Sequence, residues 1–130
     1  MSDDTMIARI TQILRDLNQG GRFVASVLTD ERGLALASVA EAEEDAQAQA
    51  AVVALVAKSA SRVADQLGMA GTEEVAVSDT HGRLLVCRRF QVGERGFLLS
   101  VLVPGRHQRY RLLTNRAVQS LQQILEILGK

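Results

Sequence analysis

Apolar positions along this chain repeat at helical spacing in three segments and at strand spacing in five. From about Asp4 to Asn18, Met6, Ile7, Ile10, Ile13, Leu14 and Leu17 share one face, with Arg9, Gln12, Arg15 and Asp16 opposite. Ser2, Asp3 or Asp4 is placed to cap this helix, and Gly20-Gly21 to end it. Arg22 to Thr29 is apolar at both parities, the mark of a strand covered on both faces. After Asp30 to Gly33, a second strand runs from about Leu34 to Val39. Glu43 to Gly68 is a long helix whose first half is rich in Ala, the best helix former. Three strands follow, Thr72 to Ser78, Arg83 to Phe90 and Phe97 to Val103, with Gln91 to Gly96 joining the last two. Pro104-Gly105 breaks the chain before a final helix, about His107 to Leu128, with Tyr110, Leu113, Ala117, Val118, Leu121, Ile124, Leu125 and Leu128 on one face.

One turn signature occurs twice. Thr29-Asp30-Glu31-Arg32-Gly33 and Ser78-Asp79-Thr80-His81-Gly82 each lie between two apolar runs. Asp can bond its own downstream backbone and Gly can take positive φ, so each closes a hairpin. Strands one and two are then one hairpin, and strands three to five a meander. The two doubly apolar strands, first and fifth, belong inside and should pair. The expected fold is α/β of the α+β kind: a five-stranded antiparallel sheet of order 2-1-5-4-3. The long helix crosses one face, and the terminal helices cover the other. Residues 1–130 form one domain, long enough to build a core without staples.

The long helix is more apolar than one sheet face requires. Val53, Val56, Ala57, Ala60, Ala64 and Leu67 form the sheet-facing stripe. Val52 and Val63 stand roughly 100° to one side, and Leu55 nearly opposite, beside Ala48 and Ala51. The third strand, Glu74-Val75-Ala76-Val77-Ser78, lies at a sheet edge whose backbone groups must be blunted or used. A two-fold dimer covers both features at once. Its expected interface is Ala48, Ala51, Val52, Leu55, Val56, Ser59, Val63, Glu74, Val75 and Val77. The plainer alternative is that Ala is common in helices and one exposed Leu needs no explanation.

Composition narrows the chemistry. Aromatics are 3% with no Trp, which argues against a base-stacking platform, and a formal net charge of zero leaves no surplus to drive polyanion binding. The single Cys87 excludes an internal disulfide. With an acidic N-terminus and no apolar run long enough to span a bilayer, the expected location is the cytoplasm. No phosphate-cradling loop, dinucleotide fingerprint or metal-ligand cluster is present, so no catalytic, cofactor or metal residue is assigned and no enzyme is expected. Ser78, Asp79 and His81 lie in one tight turn, where side chains cap backbone groups rather than form a triad. Cys87 is read as a small buried hydrophobe and His81 as a solvated turn residue. Arg88, Arg89, Arg106, His107, Arg109, Arg111 and Arg116 make the last third locally basic, a solvated face or a dock for an acidic partner surface. Glu41, Glu43, Glu44 and Asp45 complement the dipole of the long helix.

In the order of its elements the chain resembles the roadblock (dynein light chain type) domain. So do the phrase Thr29-Asp30-Glu31-Arg32-Gly33-Leu34-Ala35-Leu36-Ala37-Ser38, the Ala-rich helix behind it and the second hairpin with Gly82. The resemblance covers essentially the whole chain, and its size is that of prokaryotic members that stand alone. It implies a homodimer, or a heterodimer with a related subunit, whose sheet continues through paired third strands. It also implies a non-catalytic regulator or scaffold for a small Ras-like GTPase, since such members often associate with these GTPases and some act as GTPase-activating proteins. The alternative is a ligand-sensing or adaptor module of profilin-like or PAS-like type. That alternative needs a pocket with convergent polar groups, which the apolar core-facing positions do not favour.

Overall fold

The structure is a computed structural model that describes residues 3–128. Its elements are α1 (Asp3–Gly21), β1 (Ala25–Asp30), β2 (Ala35–Ala40), α2 (Ala46–Leu67), β3 (Glu74–Ser78), β4 (Leu84–Val92), β5 (Arg95–Val103) and α3 (Arg111–Leu128). All five strands pair antiparallel in the order β2-β1-β5-β4-β3, as expected from the sequence.

Strands β1 and β5 pair in register from Ala25↔Leu102 to Asp30↔Phe97, and both are buried on both faces. Their alternation sorts two unequal cores. Leu28, Leu99, Val101, Val103, Phe97, Val86 and Phe90 face α1 and α3, meeting Met6, Ile10, Leu14, Leu17, Leu121 and Leu125. The Phe90 and Phe97 rings stack there with centroids 5.6 Å apart. On the other face Leu98 and Cys87 pack against Val53 of α2, with Ala57 and Leu85 alongside. Two buried serines of this frame are paired, while the buried Thr29 hydroxyl has no hydrogen-bond partner. Ser26 bonds Asn18 of α1, whose amide also donates to the Val39 carbonyl (2.9 Å). Gln49 of α2 donates to Ser100 (3.0 Å).

The two repeated turns have the same geometry. Asp30 Oδ1 accepts from the amides of Arg32 (2.9 Å) and Leu34 (3.0 Å), and Asp79 Oδ1 from those of His81 (2.9 Å) and Arg83 (2.8 Å). Gly33 and Gly82 close them at φ 93° and 90°, a conformation that strains any residue with a Cβ.

Several boundaries differ from the sequence reading, each for a local reason. Asp3 and Asp4 fall inside α1 rather than before it, and Ser2, the other candidate cap, lies outside the described residues. Gly20-Gly21 does not end α1. The helix includes both, and the left-handed residue is Arg22 (φ 57°), closed by the Phe23 amide on the Asn18 carbonyl (3.0 Å). Gly21 serves a different need, because a Cβ there would stand 2.3 Å from the Phe23 ring. Since residues 22–24 make this reversal, β1 starts at Ala25 rather than Arg22.

Helix α2 begins at Ala46, not Glu43. Asp45 is its cap, accepting from the Ala48 amide (3.0 Å), while Glu44 turns away to Arg83 (2.8 Å). β4 and β5 run to within two residues of each other, so Gln91, Val92, Arg95 and Gly96 pair in the ladder instead of forming a loop. α3 starts at Arg111, not His107. The chain before it is held by Gln108, which donates to the Gly21 carbonyl (3.0 Å), and the Tyr110 carbonyl accepts the first helical bond from Thr114 (2.9 Å).

The α1 reversal uses the motif that ends α2, where Gly68 takes φ 68° and the Met69 amide reaches the Ala64 carbonyl (2.8 Å). Of these two helix ends, that of α1 places a side chain in the left-handed position. Arg22→Gly is therefore expected to stabilise the fold by about 0.5–1 kcal/mol, a rise of about 4 °C at most in thermal midpoint. A lowered midpoint by differential scanning calorimetry would show that Arg22 contributes more than its backbone strain costs.

Candidate functional site: the outward face of α2 and the β3 edge

α2 covers its sheet face with a narrow stripe. Ala50, Val53 and Ala64 are buried, and Val56, Ala57 and Ala60 are half-buried. Among the exposed Lys58, Arg62, Asp65 and Gln66 the helix also carries large apolar side chains outward: Leu55 is 66% exposed, Val63 55% and Val52 47%. Ala48, Ala51 and Ser59 are exposed beside them, small enough to admit a closely packed second helix. Leu67 departs from the sheet-facing stripe assigned from the helical wheel. It is 71% exposed, because α2 ends there and turns toward β3. With the exposed Met69 it extends the apolar surface past the helix end, an extension that wheel geometry cannot show beyond the last turn.

β3 has one strand partner and one open edge. Val75 lies opposite Cys87, and Val77 opposite Leu85, so both valines stand on the α2 side of the sheet. Val75 is half-buried and Val77 is 49% exposed. Glu74 has its backbone on the same edge but its side chain on the other face. There Tyr110 Oη donates to its carboxylate (3.2 Å), with an Arg111 guanidinium nitrogen 3.7 Å away. The residues expected at an interface thus fall into two groups: eight apolar or small residues and Ser59 on the α2 side, and Glu74 beneath the edge.

A groove of about 650 Å³ runs beside α2, lined by Glu31, Arg32, Ala54, Leu55, Lys58 and Arg89 among others, with Leu98 in its floor. The sequence reading did not find it, because it joins the first hairpin turn to β4 across the sheet. Gly33 seats that turn on α2, where a Cβ would stand 3.0 Å from the Ala54 Cβ. The groove is open, and its central charges are committed to each other: Arg89 bonds Glu31 at 2.8 Å.

Cys87 is 3% exposed, and burial pushes its thiol up to about 11, so it is no nucleophile at neutral pH. Asp79 accepts turn amides. Among the described residues, no group of three His, Cys, Asp or Glu side chains could hold a metal ion, and no helix is long and apolar enough to cross a membrane.

The architecture is that of the roadblock domain. MglB from Myxococcus xanthus superposes with a TM-score of 0.81 over 95% of this chain and 92% of that one, at 20% identity. The gliding protein MglB from Thermus thermophilus gives 0.77 over 93% and 91%, at 21% identity. A Roadblock/LC7 domain from Streptomyces avermitilis gives 0.75 over 92% and 98%, at 19% identity. No protein-family model and no curated protein matches the sequence. At these identities the likeness establishes the fold, and the activity rests on this chain's own residues.

The turn carboxylates make acid the sensitive direction. At Asp30 burial raises the pKa, but the accepted Leu34 and Arg32 amides outweigh it and hold the group below its usual range. At Asp79 the Arg83 amide dominates, and the His81 amide adds to it. A carboxylate depressed in the folded state stabilises above its unfolded pKa, and that stability is lost as pH falls through the folded value. The urea midpoint should therefore drop between pH 5 and pH 3. The drop should be smaller when Asp30→Asn and Asp79→Asn are combined; equal drops in both proteins would rule out the turns as its source.

Proposed function

We propose that this protein is a non-catalytic homodimeric regulator or scaffold for a small Ras-like GTPase. The observation that carries the dimer is the apolar surface formed by Val52, Leu55 and Val63 of α2, beside an open β3 edge whose Val75 and Val77 stand on the same side. A second copy fits both. If β3 pairs with its own copy about Ala76, Val75 lies opposite the partner's Val77, and Glu74 opposite the partner's Ser78. Within residues 74–78 that register puts apolar against apolar on the α2 side and opposes no like charges. Full burial of Leu55, Val52 and Val63 would contribute about 1.5–3 kcal/mol each as an upper figure, against the entropy of association. The GTPase assignment is supported by the roadblock fold, which MglB of Myxococcus xanthus shares over 95% of this chain.

In light scattering at micromolar concentration the expected mass is near twice 14.1 kDa. Leu55→Glu should split the dimer, because a carboxylate without a partner is costly in a packed interface. A mass unchanged by Leu55→Glu and Val52→Glu together would remove this interface.

For the partner, the chain should co-elute with a small Ras-like GTPase of the same organism loaded with a non-hydrolysable GTP analogue. The hydrolysis rate of the GTP-loaded protein then separates acceleration from scaffolding. No co-elution in either nucleotide state would overturn the GTPase assignment and leave the dimer standing.

A further inference from the structure

β3 is short and carries one ladder, yet it is held from beneath by a polar cluster. Arg88 of β4 lies directly opposite Glu74 in the ladder, on the face covered by α3. Its side chain is only 11% exposed, unusual for a charged residue. One guanidinium nitrogen donates to Asn115 Oδ1 (2.5 Å) and Thr114 Oγ1 (3.3 Å) in the first turns of α3. The other lies 3.6 Å from the carboxylate of Glu73, the residue preceding β3, and its buried Nε has no hydrogen-bond partner. Glu74 is held separately by Tyr110 and Arg111. Two carboxylates at the entry of β3 are thus tied to two arginines and the start of α3. β3 contributes no buried residue of its own.

Resting on the dimer reading above, we propose that Arg88 is a positioning residue for self-association. It fixes the entry of β3 to α3, so that the open edge is presented in one geometry for a second copy. A strand held by five ladder positions and little apolar burial frays readily. Pairing a frayed edge requires ordering it first, which weakens association.

The test uses the full chain with Arg88→Met, which keeps the apolar stem, and Arg88→Lys, which keeps the charge. Dimer dissociation is measured by sedimentation, and amide exchange of β3 against β1 and β5 is measured in the monomeric Leu55→Glu background. The expected result is about tenfold or more weaker dimerisation for Arg88→Met, partly restored in Arg88→Lys, with faster exchange confined to residues 74–78. An unchanged dissociation constant would overturn the proposal, as would equal acceleration in β1 and β5. If Arg88→Met does not fold, Tyr110→Phe deletes only the bond to Glu74 and should weaken dimerisation about twofold to tenfold by the same route; no change would count against the tether. A wild-type chain that is monomeric at every concentration would overturn the dimer reading and the association role with it. β3 exchange in Arg88→Met would then decide separately whether Arg88 holds the strand at all.

Discussion

Everything in this fold depends on the β1–β5 ladder being apolar on both faces. A pair of strands with no solvent-tolerant side forces the sheet to be covered twice. With three helices available, the connections permit one arrangement: the helix between β2 and β3 crosses one face, and the chain's two terminal helices take the other. The hairpin turns at Asp30 and Asp79 return each strand in register beside its neighbour.

The two coverings are unequal, and function follows from the inequality. The α1–α3 side is filled with Leu, Ile, Val, Met and Phe, whose side chains interdigitate over most of the sheet. On the α2 side the buried cluster is small, Val53, Cys87 and Leu98, because an Ala-rich helix can lie close to the strands without large side chains. α2 therefore gains less from its own sheet than a helix of its length usually does, and it carries Leu and Val outward. Isolated exposed apolar residues are ordinary on protein surfaces; several along one helix, next to an open strand edge, are what the proposed dimer would cover.

Charge refines this picture without driving it. The formal charge is zero, and four arginines from Arg83 onward have specific partners: Arg83 with Glu44, Arg88 with Glu73 and α3, Arg89 with Glu31, Arg111 with Glu74. The pairs of Arg83, Arg89 and Arg111 are partly exposed and add little stability each. Arg88 differs because its own side chain is nearly buried and bonded to Thr114 and Asn115 of α3, although Glu73 is exposed.

The strand order, the two-layer covering and the outward Leu55 were legible in the residues, since periodicity and turn chemistry are local signals and uncrossed connections leave few topologies. The ends of elements were less legible. α1 runs through Gly20-Gly21 because the Phe23 ring needs space at Gly21, and α3 starts late because Gln108 ties its leading loop to α1. Leu67 was misplaced because a helical wheel knows the angle of a residue but not where the sheet beneath it ends. The Glu31–Arg89 groove and the Arg88 cluster left no pattern along the chain, since their members lie far apart in sequence and meet only when β4 takes its place. Local chemistry set which segments are helix, strand and turn; long-range packing alone decided which side chains share a surface.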